Sequence, residues 1–174
     1  MLYHFSDDPG ITRFVPRPVR TTAPRRVGQE WLNGPLVWAI CDTFAFLYLF
    51  PRDCPRIVTW AVENTSKNDK TQWLGAHKRV AYVEQAWMDR ITTAQLIRYT
   101  LPQDSFMPLG DVGMHVSRTA VKPQDTIQLS DLPTILALCG VSLRPVSTLL
   151  PLRRLWDSTL HVSGVRLRNA AGWN

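Results

Sequence analysis

The 174-residue sequence is poor in glutamate, which stands only at positions 30, 63 and 84. Carboxylate chemistry in its second half therefore falls to Asp104, Asp111, Asp125, Asp131 or Asp157. Its three cysteines, Cys41, Cys54 and Cys139, are odd in number and form no C-x-x-C pair. Neither a disulfide framework nor a zinc ribbon is implied. Each thiol is left as a small apolar side chain suited to a reducing, cytoplasmic compartment. None of the nine glycines makes a G-x-G, so the dinucleotide fingerprint and the P-loop are missing. There is no H-E-x-x-H and no G-x-S-x-G. His4, His77, His115 and His161 lack the spacing of local metal ligands, so no metal is expected. The amino terminus has neither the cationic nor the apolar stretch of a signal peptide. The most apolar run, Pro35–Phe50, is broken by Asp42 and falls short of the roughly 20 residues that cross a bilayer. A soluble protein without a membrane partner is expected.

What is present suits a folded domain. The chain is 45% apolar and 20% charged, which excludes a disordered or collagen-like polymer. At this length it can bury a core without disulfide or metal staples, and residues 1–174 read as a single domain. Thirteen prolines against nine glycines argue for short elements and sharp corners rather than a helical bundle. The net charge of +6 is uneven: residues 1–30 carry +2, residues 144–174 carry +4, and the middle balances. If the two arginine-bearing ends meet, they form one cationic surface suited to phosphates.

Alternation in Leu2–Phe5 predicts a strand with Leu2, His4 and Ser6 on one side and Tyr3 and Phe5 on the other. Strands are also expected over Leu36–Ile40, Arg56–Val62, Arg79–Trp87, Gln95–Leu101, Met114–Ser117 and Val141–Val146. Asp42 or Thr43 is placed to cap a short helix over Phe44–Phe50. Ser130–Pro133 opens a helix that Gly140 closes. Leu149–Leu160 reads as amphipathic helix, and Glu63–Gln72 as a polar loop. Early strands with short helices between and after them give an α+β fold with split, mainly antiparallel sheets.

The stretches LYHFSDDPGITRFVPRP, PLVWAICDTFAFLYLFPRDCPR, LIRYTLPQDSFMPLG, HVSRTAVKP and STLHVSGVRLRNAAGW resemble those of a bacterial family of about this length, a domain without an assigned activity. More distantly, Tyr3-His4-Phe5-Ser6, Val37-Trp38-Ala39-Ile40 followed by Tyr48, and Ser117–Val121 resemble motifs of the ADP-ribosyltransferase-like fold, especially its rifamycin-modifying type. The resemblance implies NAD as cofactor, a nucleotide or small-molecule partner, and a transferase site. Trp38 and Tyr48 would sandwich nicotinamide by stacking and cation–π attraction. His4 would orient a ribose hydroxyl with Ser6 beside it on the strand. Arg13, Arg17 or Arg118 would hold the pyrophosphate. Asp104, with Asp111 in reserve, would stabilise the oxocarbenium-like transition state. The sequence departs from that pattern where Thr119 replaces the late catalytic glutamate and where Trp38 and Ile40 replace Tyr and a hydroxyl residue.

The alternative is a non-enzymatic binding module. Its terminal arginines would engage nucleic acid or an acidic protein, with affinity that falls as salt rises.

Overall fold

The computed structural model describes residues 1–173. Ten strands follow in chain order: β1 (Leu2–Ser6), β2 (Val37–Cys41), β3 (Arg56–Trp60), β4 (Arg79–Glu84), β5 (Leu96–Leu101), β6 (Met107–Pro108), β7 (Met114–Ser117), β8 (Asp125–Leu129), β9 (Val141–Val146) and β10 (His161–Val165). Three short α-helices accompany them: α1 (Lys67–Asp69), α2 (Met88–Thr93) and α3 (Leu132–Leu138). The fold is α+β, with mainly antiparallel sheets. Backbone contacts group the chain into two compact units. Unit 1 is Met1–Tyr48 with Leu96–Leu129, and unit 2 is Leu49–Gln95 with Ser130–Asn174.

Unit 1 is built on a six-stranded antiparallel sheet in the order β6-β7-β2-β1-β5-β8. Its register fixes two faces. Leu2 opposes Cys41 and Leu101, while Tyr3 opposes Ile40 and Thr100. Since side chains alternate along a strand, Leu2, His4 and Ser6 share the first face with Val37, Ala39, Ile97, Tyr99 and Leu101. Tyr3 and Phe5 share the second face with Trp38, Ile40 and Arg98. The first face is buried under Phe14 and Val121, which bridge to each other, with Ile11 and Phe106 packed alongside. Tyr99 seals that side by donating its hydroxyl to the carbonyl of Asp8 at 2.6 Å.

Unit 2 holds a four-stranded sheet in the order β10-β3-β4-β9, antiparallel except for the parallel β4–β9 pair. β3 and β4 are buried along almost their whole length, which explains the near-continuous apolar runs RIVTW and RVAYVE. Leu149, Leu152 and Leu155 pack on Ile57, Val80 and Tyr82. Their spacing of three residues matches the 3-10 helix that forms there, Leu150–Asp157. The amphipathic segment expected over Leu149–Leu160 is therefore present as the tighter helix. It stops at Asp157 because His161–Val165 leaves as strand β10, which the sequence pattern did not announce.

Two further expectations are corrected. Glu63–Gln72 is not simply a loop: α1 runs into a π-type turn over Lys70–Leu74. Its polar residues face water, and Trp73 and Leu74 anchor its end in the core. Ser66 caps its start by accepting from Asp69 N, and the Arg144 guanidinium donates to the carbonyls of Trp73 and Leu74 at its end. Arg79–Trp87 is strand only to Glu84, after which Gln85–Trp87 makes a 3-10 turn into α2. The helix opened by Ser130–Pro133 is α3. Asp131 accepts from Thr134 N at its start, and Gly140 takes the left-handed conformation just beyond its end, at φ 71°.

Candidate functional site

The sheet of unit 1 decides where the expected site residues go. His4 and Trp38 leave it on opposite faces. The imidazole packs against Phe14, with centroids 4.7 Å apart, over the buried first face. Its Nδ1 lies 2.9 Å from the main-chain carbonyl of Trp38. A carbonyl only accepts, so Nδ1 carries the hydrogen and donates. The β1–β2 pairing has ended at Tyr3–Ile40, and the imidazole takes over a carbonyl that the ladder no longer serves.

The second face collects the aromatic side chains that remain half-exposed. Tyr48, the last residue of a 3-10 helix over Asp42–Tyr48, lies over Phe5 with the two rings 9° from parallel and 6.4 Å between centroids. Its hydroxyl reaches the sulfur of Met114, which shares that face through its pairing with Ile40. Trp38 stands on the same face beside Trp31, Leu36 and Val116, with the Arg25 guanidinium 5.9 Å from its ring centre. Trp38 and Tyr48 therefore share a face, and His4 is on the other one. His4 stands in a separate environment from these two rings, because the register pairs Tyr3 with Ile40 and so sets His4 level with Ala39, on the face opposite Trp38.

The other expected residues are dispersed over unit 1. Ser6 is buried and accepts from Asp8 N at 3.1 Å, so its hydroxyl closes the turn after β1. Arg13 is exposed next to Phe14. Arg17 is exposed while its backbone bridges to Leu36. Arg118 is exposed at the end of β7, with its guanidinium 4.8 Å from the Trp31 ring centre. Asp104 is exposed in the turn after β5, closed by Phe106 N donating to Gln103 O, and Asp111 is exposed before Gly113.

The polar centre of the second face is a residue that motif matching passed over. Arg98 opposes Phe5 directly in the β1–β5 register. Its guanidinium lies 4.7 Å from the ring centre of Tyr3, and its Nε is buried without a hydrogen-bond partner. Such an orphaned donor is rare in a folded protein, because leaving it unpaired costs about 1–3 kcal/mol. The Tyr3 phenol beside it is pushed above its ordinary pKa. Burial is the largest cause, followed by a hydrogen bond to the Asp42 carboxylate and that carboxylate's charge, with Arg98 pulling the other way. Tyr3 is therefore a neutral ring, with an anion at its hydroxyl and a cation at its face. The signal for Arg98 was in the sequence: it is the one charged residue in the alternating strand LIRYTL.

Among the described residues, no three His, Cys, Asp or Glu side chains gather into a metal-binding set, and no helix is long and apolar enough to cross a membrane.

Comparison with known proteins matches residues 3–170 to the model of a family of unknown function, DUF6886. No curated protein and no solved structure matches the chain. The ADP-ribosyltransferase resemblance thus gains no support from these comparisons. The resemblance to a domain without assigned activity is the one that stands: the chain belongs to the DUF6886 family of unknown function.

Proposed function

We propose that unit 1 is a binding domain for a small molecule that combines a flat ring with an anionic group. Nucleotides, NAD among them, are the biological class that fits. The observation that carries this reading is Arg98. A guanidinium whose buried Nε lacks an acceptor stands opposite Phe5, on the face where Phe5, Tyr48 and Trp38 leave ring surface half-exposed. A phosphate or carboxylate would complete the guanidinium, and the adjoining rings would take the planar part by stacking. Binding is the whole of the proposal. Transfer would need a carboxylate at the ribosyl bond, and Asp104, expected in that role, is exposed in the turn beyond Leu101.

The test is thermal unfolding and calorimetric titration with NAD, AMP and ATP. At least one of these ligands should stabilise the protein saturably, by about 2.7 kcal/mol at 100 times its Kd. Arg98→Gln and Tyr48→Ala should each weaken it tenfold or more, whereas His4→Ala should not. A melting temperature that none of the three ligands moves at millimolar concentration would refute the reading. So would wild-type affinity in folded Arg98→Gln.

A further inference from the structure

Unit 2 presents a different surface, and it carries most of the protein's excess charge. It holds twelve Lys and Arg against seven Asp and Glu, while unit 1 holds eight against seven. At the carboxyl end this charge is interleaved with indole rings. The 3-10 helix Leu150–Asp157 turns Leu152 and Leu155 into the core and leaves Arg153, Arg154 and Trp156 exposed on its outside. The Trp156 ring centre is 6.1 Å from that of Trp173. Arg153 lies over Trp173, its guanidinium 4.7 Å from the ring centre, and also donates to the Trp173 carbonyl. Arg154 lies over the ring of Trp73 at 4.9 Å.

The platform is shaped for its indole. Gly164 of β10 lies under Trp156, where a Cβ would stand 3.0 Å from Cζ2 of the ring and 2.4 Å from Cδ1 of Leu167. The strand therefore makes room for the indole to lie close to the backbone. It remains 45% exposed there, which leaves a broad ring surface open to solvent. Arg168 follows Leu167 directly and is exposed.

We propose that this face of unit 2 binds single-stranded nucleic acid. Trp156 offers a ring on which an unpaired base stacks, and Arg153, Arg154 and Arg168 supply cations for the flanking phosphates. A duplex keeps its bases stacked on one another and cannot use an indole platform in this way. A lipid surface fits less well, because the helix has already spent Leu152 and Leu155 on the core. Leu150, Pro151 and Trp156 are the apolar side chains it leaves exposed, too few to insert among acyl chains. The inference uses residues of unit 2 alone and does not rest on the nucleotide reading of unit 1.

The experiment is fluorescence anisotropy of labelled oligouridylate and oligothymidylate of about 20 nucleotides, long enough for one site, titrated with the full chain. Binding should weaken steeply between about 50 and 200 mM salt. Trp156→Ala should lower affinity about tenfold, in the range that losing one base-stacking ring costs, and Trp156→Phe should keep most of it. Arg168→Gln should flatten the salt dependence by about one ion. This exposed substitution keeps the proposal open to refutation should Trp156→Ala fail to fold. The proposal is overturned by absence of oligonucleotide binding at low salt, or by binding that Trp156→Ala and Arg168→Gln leave unchanged. Uptake onto phosphatidylserine vesicles without oligonucleotide binding would overturn it in favour of a membrane surface.

Discussion

The imidazole Nδ1 of His4 stands 2.9 Å from the carbonyl oxygen of Trp38, although the two side chains leave the sheet on opposite faces. The contact ties β1 to β2 where their ladder has stopped. Replacing His4 with Ala leaves the Trp38 carbonyl without this donor and opens space beside Phe14. The expected cost is about 1–2 kcal/mol of stability, read as a lower denaturation midpoint at unchanged m-value. Ligand affinity on the second face should stay as it was. A His4→Ala protein that keeps its midpoint but loses ligand binding would place the imidazole in the binding site after all.

Gly113 holds the turn before β7 at φ 69°, and its amide oxygen accepts from Cys41 N at 2.9 Å. A Cβ there would stand 2.4 Å from the Cys41 sulfur and 2.7 Å from the Phe44 ring. Both the backbone conformation and the lack of space exclude a side chain. Gly113→Ala should destabilise by about 2 kcal/mol or more. Gly28, at φ 82° with nothing near its missing Cβ, should tolerate alanine with only the backbone penalty. Comparing the two melting temperatures separates crowding from conformation, and equal losses would refute the crowding.

Asp69 of α1 accepts from Thr159 through both the backbone N at 2.9 Å and the hydroxyl at 2.6 Å. These bonds, with one from Ser66, hold its carboxyl below the ordinary pKa. A carboxyl whose folded pKa is depressed adds stability above its unfolded pKa, and that stability is lost as pH falls through the folded value. Asp69→Asn should therefore lower the melting temperature at neutral pH, and the gap to wild type should close in strong acid. A gap that persists unchanged below the carboxylate range would show that charge plays no part.

Cys54 is fully buried, and its thiol is pushed up to about 12, chiefly by burial and also by Glu84, against the pull of Arg56. Only the thiolate reacts with alkylating or disulfide reagents. In the native protein Cys41 and Cys139, both half-buried, should react first, and Cys54 only with unfolding. Mass spectrometry after a timed iodoacetamide pulse reads this directly, and early label at Cys54 would contradict it.

The sequence by itself determined which stretches alternate and which turns close them. β1, β2, β5, β7, β9 and α3 lie where period and capping put them, because a strand half-covered by core and a capped helix leave their signature in neighbouring residues. The strands β6, β8 and β10 left little trace. β8 is mostly exposed, and β6 spans two residues, so neither needed an apolar pattern. α1 is polar and is held from outside its own span, by Ser66 at its start and, through the π-type turn that follows, by the buried Trp73 and by Arg144 far along the chain.

Only the tertiary structure decided which face each site residue joined. Register is a long-range property: Tyr3 opposite Ile40, and Phe5 opposite Arg98, bring together positions that no local period relates. That pairing sends His4 to the packed side, puts Arg98 among the half-exposed rings, and leaves its Nε in want of an acceptor.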